Sequence, residues 1–230
     1  ALGRHNVCNT LAAVAVGMEL NMDFQTIAES LKTFTGVQRR FEILKQSKSL
    51  IIVDDYGHHP AEIQATLSTA KEVWPDRRLV IVFQPHRYSR TKYLMESFFS
   101  SFNDADQLLL LDIYSAGEEA EEGIHSQRIA EGVKEFGHKN VEYIGSTESV
   151  IPHLQKILKP GDIVMTLGAV QAEGGAAFMV MIDHVAVVGP TALGGFCGLL
   201  GLNPAALAEV PWLPEAVRRH EPGRAFGIGD

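Results

Sequence analysis

Cysteine is nearly absent: the 230 residues hold two, Cys8 and Cys197. They lie far apart without metal-ligand spacing, which excludes a disulfide framework and fits a reducing cytosol. Positive charge is also in deficit, with 20 Lys and Arg against 28 Asp and Glu and a net charge of −8. A general nucleic-acid binder needs a basic face to neutralise phosphates, so that class is excluded. An anionic small substrate is not, because a few arginines in a cleft hold one locally. No Gly-Lys dipeptide occurs. A Gly-rich phosphate loop ending in Gly-Lys-Thr or Gly-Lys-Ser is therefore missing from these residues, together with its lysine. No secretory leader is expected, because Arg4 and His5 precede only a short apolar stretch. The uncharged stretch from Val185 to Ala208 has the length of a membrane span, but Pro190, Asn203, Pro204 and several glycines break it. No span and no membrane partner are expected, and no internal repeat is visible.

What is present suits a packed globular fold. The hydrophobic fraction is 46% and the charged fraction 21%, both ordinary, and the length allows one large domain or one domain with pieces. Leu11 to Val16 is rich in good helix formers and predicts a first helix. A second runs from Asp23 to Phe34, with Asp23 as N-cap and Ile27, Leu31 and Phe34 on one face. Gly36 ends this unit, and a domain boundary is expected there. From Val37 to Ala169 strands and helices alternate. Strands are expected at Phe41–Leu44, Leu50–Asp54, Leu79–Phe83, Leu108–Leu111, Val141–Ile144 and Ile163–Thr166. Helices are expected at Pro60–Val73, Ser89–Phe102, Ser126–Phe136 and Thr147–Leu158, the first with Pro at its opening position. Several strands are continuous apolar runs, the mark of burial on both faces. The expectation is an α/β fold: a Rossmann-like, mostly parallel sheet with helices on both faces. After Val170 the rhythm stops in a Gly/Ala/Pro-rich tail, residues 170–230, expected to be poorly ordered or loosely packed.

In such sheets ligands bind beyond the carboxyl ends of the strands, and polar residues cluster there. Asp54-Asp55-Tyr56-Gly57-His58-His59-Pro60 follows the second strand. Gln84-Pro85-His86-Arg87-Tyr88-Ser89-Arg90-Thr91 follows the third, and Asp112 to Glu118 the fourth. Zinc at His58, His59, Asp54 and Asp55 is less favoured than substrate contact, because adjacent ligands rarely make a tetrahedral site. One of the two histidines could instead cap the following helix, and either aspartate could be a turn residue. Arg87 and Arg90, three apart at a helix start, could face one carboxylate or phosphate, or be a solvated surface pair. Arg39 and Arg40 are equally ambiguous on spacing alone.

Four strings decide between these readings. Gly3-Arg4-His5-Asn6-Val7-Cys8-Asn9, Gly36-Val37-Gln38-Arg39-Arg40-Phe41-Glu42, Val53 to Pro60 and Phe83 to Thr91 resemble, in order, successive signatures of the Mur ligases. The resemblance covers Ala1 to Ala169 and is to the L-alanine-adding members. The tripeptide-adding relatives usually carry Phe-Ala where this chain has Tyr56-Gly57, and they lack the Gln-Pro-His-Arg string. The resemblance implies a cytoplasmic, ATP- and Mg2+-dependent ligase of peptidoglycan synthesis. It would phosphorylate the lactyl carboxylate of UDP-N-acetylmuramate and join L-alanine through the resulting acyl phosphate. It further implies that residues 1–36 are the last helices of a central ATPase domain, with Asn6 and Asn9 at the adenine. Arg40 is expected at the ATP phosphates, with a catalytic part, and Asp55 at the nucleotide. Tyr56, His58, His86, Arg87 and Arg90 are expected around the substrate, with His58 also catalytic and no metal held by these residues.

Two departures qualify this picture. The missing Gly-Lys loop and the missing UDP-binding domain make catalysis by the chain alone unexpected. The family usually continues Gly-Ala-Gly, whereas Gly168-Ala169 is followed here by Val170. A truncated, frame-shifted or joined product fits both departures. A non-catalytic nucleotide- or amino-acid-binding module and a decaying gene fragment are the competing readings.

Overall fold

The computed structural model describes residues 3–34 and 36–170. Two helices open the chain, α1 (Arg4–Glu19) and α2 (Phe24–Thr33). The Asp23 carboxylate accepts the Thr26 backbone N–H at 3.2 Å, so the expected N-cap is in place. Of the three residues read as one face of α2, Ile27 is buried, Leu31 half-buried and Phe34 exposed. The tail from residue 171 and Cys197 lie outside the described residues. Among the described residues no helix is long and apolar enough to cross a membrane.

The remainder is one six-stranded sheet: β1 (Glu42–Gln46), β2 (Leu50–Asp55), β3 (Leu79–Gln84), β4 (Gln107–Leu111), β5 (Val141–Gly145) and β6 (Asp162–Gly168). Its helices are α3 (Pro60–Val73), α4 (Tyr88–Phe99), α5 (Ser126–Glu135) and α6 (Val150–Ile157), the last preceded by a 3-10 turn at Thr147–Ser149. The strand order is β1-β2-β6-β3-β4-β5. Every neighbouring pair is parallel except β1 with β2. The exception has a local cause, since only Ser47 to Ser49 separate those two strands. So short a link permits a hairpin but no crossover.

Chirality places the helices. The connections β2 to β3, β3 to β4 and β4 to β5 all advance in one direction across the sheet, and right-handed crossovers then put α3, α4 and α5 on one face. The return from β5 to β6 reverses direction and sends α6 to the other face. The two apolar clusters record this division. One joins Ile51, Val53, Ile81 and Phe83 to Ile63, Leu67, Phe98 and Ile129 of α3 to α5. The other joins Leu50, Ile52, Val80 and Val82 to Val150, Ile151 and Leu154 of α6. Successive residues of one strand enter opposite clusters, as a side-chain period of two requires, which is why runs such as Leu50–Val53 and Leu79–Phe83 are apolar without alternation.

β6 lies between β2 and β3 and pairs with both. Its last residue, Gly168, has φ +78°, and a Cβ there would lie 2.2 Å from the Gln84 carbonyl oxygen. Only glycine lets the chain turn off β6 this close to β3. The five parallel strands, β2 to β6, all end on one edge of the sheet.

Candidate active site

Because β1 runs against β2, its start lies beside the carboxyl end of β2, with Glu42 opposite Asp54. This brings Arg39 and Arg40 to the same edge as Tyr56 and His58. The chain beyond β3 and β4 stays paired through a single parallel bridge between His86 and Tyr114. Arg87 N–H donates to Tyr114 O at 2.8 Å, and Tyr114 N–H to Pro85 O at 2.9 Å. The imidazole of His86 is thereby stacked on the Tyr114 ring, centroids 5.7 Å apart. Tyr114 was legible only as part of a polar cluster after the fourth strand; no motif gave it a role.

Tyr56, His58 and His86 form one aromatic group. Tyr56 meets His58 edge-on at 4.7 Å and His86 at 5.9 Å, and the two imidazoles are 5.9 Å apart. Their protons follow from their partners. His58 Nδ1 stands 2.9 Å from the Tyr56 carbonyl oxygen, which only accepts, so Nδ1 carries the proton and Nε2 offers a lone pair. His86 Nδ1 stands 2.9 Å from an Arg90 guanidinium nitrogen, which only donates, so its proton is on Nε2. Burial first, then the Arg90 and Arg40 charges, hold His58 below its ordinary value against the pull of the Tyr56 carbonyl and Glu62. Burial and then Arg90, His58 and Arg87 do the same for His86. His59, the other member of the pair, caps α3: its Nδ1 accepts the Ala61 N–H at 3.3 Å.

The two aspartates are buried and internally engaged. Asp54 accepts from Arg39 Nε at 3.0 Å and from the Thr166 hydroxyl at 2.6 Å. Asp55 accepts the backbone N–H of Phe41 at 2.7 Å and of Gly57 at 2.6 Å. Burial raises both carboxyls, opposed at Asp54 by Thr166 and Arg39 and at Asp55 by the Gly57 and Phe41 N–H groups. Arg40 lies 3.5 Å from Glu62, whose other oxygen accepts the His58 and His59 N–H groups.

Arg87 and Arg90 do not share one partner. Arg90 donates to His86 Nδ1 and, at 3.3 Å, to the His86 carbonyl. Arg87, at the start of α4 with φ 73°, lies 3.9 Å from Glu118. The Glu118 carboxylate accepts the Ser89 N–H at 3.0 Å and the Ser89 hydroxyl at 2.6 Å, which hold it below the usual carboxylate range. An anion does sit at this helix N-terminus, and it comes from the chain's own β4–α5 loop.

Two hollows meet at this edge. One, of 430 Å³, is lined by Gln38, Arg39, Arg40, Tyr56 and His86. The other, of 790 Å³, lies between α1, α2 and α3 and is lined by Asn6, Asn9, Thr10, Phe34, Arg40, Asp55 and Thr66. Arg40 borders both. Among the described residues no group of three or more His, Cys, Asp or Glu is arranged to hold a metal ion.

Known proteins resemble this chain in the same regions. Residues 39–170 match the family described as Mur ligase, glutamate ligase domain. A UDP-N-acetylmuramate–L-alanine ligase of Geobacter sulfurreducens is 49% identical over 183 residues, 79% of this chain and 40% of that protein. One of Geotalea uraniireducens is 55% identical over 167 residues, 73% of this chain and 36% of that protein. The chain thus spans well under half the length of these relatives. The crystal structure of the UDP-N-acetylmuramate–alanine ligase of Thermotoga maritima superposes with a TM-score of 0.60 at 26% identity, over 80% of this chain and 37% of that one. A murein peptide ligase of Psychrobacter arcticus superposes equally well, TM-score 0.60, over 81% of this chain and 38% of that one. At 23% identity that second likeness concerns the fold alone.

Proposed function

Since this chain belongs to the Mur ligase family, we propose that it is the C-terminal part of a ligase joining L-alanine to UDP-N-acetylmuramate in cytoplasmic peptidoglycan synthesis. The observation that carries the reading is the meeting of two hollows at Arg40. One hollow has side-chain amides suited to a nucleobase. The other has aromatic and cationic groups suited to an amino acid. A reaction that moves a phosphoryl group from a nucleotide to a carboxylate, and then gives that carboxylate to an amine, needs this adjacency.

The residues divide the work. Asn6 and Asn9 offer donors and acceptors to adenine, with Asp55 on the nucleotide side of the same cleft. The nucleotide supplies the phosphoryl group that turns the lactyl carboxylate into an acyl phosphate. Arg40 stands where the developing phosphate charge gathers and stabilises it. Tyr56 and His86 wall the amino-acid pocket, His58 packs against both rings behind them, and Arg90 and Arg87, outside the lining of the hollow, are the cations for the L-alanine carboxylate. His58 is neutral near pH 7 and presents Nε2 as an acceptor, which suits it to take a proton from the alanine ammonium and so free the amine that attacks the acyl phosphate with phosphate leaving. Magnesium fits these residues poorly, because the buried carboxylates of Asp54 and Asp55 already accept from Arg39, Thr166 and backbone N–H groups. Mg2+ is therefore assigned no ligand among the described residues.

The chain contains no Gly-Lys dipeptide, so by itself it should bind ligands and not turn over. In that state it is a nucleotide- and amino-acid-binding module. Calorimetric titration of the purified chain checks the two halves separately. Arg90→Lys should raise the L-alanine Kd by about tenfold, because lysine cannot reproduce a planar two-point contact, and should leave ATP binding unchanged. Asn9→Ala should do the reverse. L-alanine binding indifferent to Arg90 sinks the pocket assignment. Phosphate release from ATP that requires both UDP-N-acetylmuramate and L-alanine sinks the claim of inactivity.

A further inference from the structure

Arg39 has no role in the scheme above, yet it makes more directional contacts than its neighbours at the edge. Its backbone is left-handed, φ 58°, as is that of Phe41, φ 48°. Two such conformations in non-glycine residues persist only where the surroundings hold them. Here Arg39 N–H donates to Glu42 at 2.8 Å, its carbonyl accepts the Tyr56 N–H at 2.7 Å, and Phe41 N–H is held by Asp55. The side chain then uses both the edge and the face of its guanidinium. The edge donates to Asp54 at 3.0 Å and to the Gly168 carbonyl at 2.7 Å, gripping the ends of β2 and β6. The face lies over the Tyr56 ring, 4.9 Å from its centroid. Tyr56 in turn is the ring that touches both His58 and His86.

We propose that Arg39 is a positioning residue of the amino-acid pocket: it fixes the Tyr56 ring, and through that ring the two imidazoles, relative to the ends of β2 and β6. The proposal rests on reading this hollow as the L-alanine pocket. It separates Arg39 from the adjacent Arg40, which borders both hollows. A planar cation is required, because an ammonium can pair with Asp54 but cannot at once reach Gly168 O and lie flat on a ring.

The test uses the full chain with Arg39→Lys, Tyr56→Leu and both together. Lysine still opposes the Asp54 charge, so the Arg39→Lys thermal midpoint should stay near that of the parent. Its NMR cross-peaks between the Tyr56 ring and the His58 and His86 rings should weaken or vanish, and its L-alanine Kd should rise by about tenfold. Tyr56→Leu should raise the Kd similarly, and the double variant no further, because the arginine acts through the ring. A merely structural arginine predicts unchanged ring cross-peaks and L-alanine affinity in Arg39→Lys, or additive losses in the double variant. Either result overturns the proposal. If the parent chain binds no L-alanine, the ligand assignment falls, and the ring cross-peaks alone then decide whether Arg39 positions Tyr56.

Discussion

His58 and His86 show how much of this site depends on which ring nitrogen faces which partner. A carbonyl fixes one proton on Nδ1 and a guanidinium fixes the other on Nε2, so the rings present complementary edges while both stay neutral. Neutrality carries a testable sign. Each imidazole lies below its ordinary value of 6.5, chiefly through burial. Between the folded and unfolded values the unfolded chain therefore binds more protons, and stability rises with pH there. The contribution is complete above 6.5 and is lost as pH falls through and below it. Asp54 and Asp55 act oppositely, since burial raises them above 3.8: their share is complete below that value and is lost as pH rises through their folded values. Urea midpoints measured from roughly pH 7.5 to 5 should fall with acid in the parent chain, and fall less or not at all in a His58→Gln/His86→Gln variant, where the share of these two imidazoles is gone. Equal pH slopes in the two proteins would show that the imidazoles are not held neutral by the fold.

At the scale of elements, the pair α4 and α5 sets burial against propensity. A Cβ on Gly132, inside α5, would lie 2.2 to 2.4 Å from ring atoms of Phe99 at the end of α4. Helix propensity alone would make Gly132→Ala stabilising by about 1 kcal/mol. Overpacking costs about 1–3 kcal/mol, and the half-buried Phe99 ring would have to swing out and expose apolar surface. Gly132→Ala should therefore fail to stabilise and should destabilise by up to roughly 2 kcal/mol in chemical denaturation. The same change in a Phe99→Leu background should cost little or even stabilise. Equal costs in both backgrounds would place the strain elsewhere. Element identity was largely legible beforehand, because short unbroken apolar runs such as Leu79–Phe83, too short for a helix and rich in Val and Ile, suit a strand buried on both faces, and Pro60 marks a helix start. The antiparallel direction of β1 follows from the three-residue link that precedes β2, although the alternation around it points to parallel pairing. The insertion of β6 between β2 and β3 was not legible, since an apolar run carries no information on which neighbour it will have. The site was half legible. Motif strings and strand ends located Tyr56, His58, His86 and the arginines. The division of labour between His58 and His59, and the Glu118 carboxylate at the start of α4, depend on loop paths that no spacing encodes.

For the whole molecule, the distribution of the core decides what folds with what. Both apolar clusters draw every buried member from Phe41 onward. The opening helices bury Ile27 but leave Val7, Leu11, Val16 and Phe24 exposed, so α1 and α2 add little to either core. We therefore propose a domain boundary at residues 36/37, and a chain starting at Val37 should unfold cooperatively with a midpoint within about 3 °C of the parent, the shift corresponding to roughly 1 kcal/mol at this size. Function should divide along the same line. Asn6, Asn9 and Phe34 leave with the deleted helices and open one wall of the 790 Å³ cleft, whereas the residues lining the 430 Å³ hollow all lie at or beyond Val37. The shortened chain should lose ATP binding and keep L-alanine binding within about twofold, a difference well under 1 kcal/mol. Scanning calorimetry and the two titrations on one preparation check both halves. Loss of the cooperative transition would make α1 and α2 part of the same folding unit, and retained ATP affinity would show that the nucleotide is not held between α1 and α3.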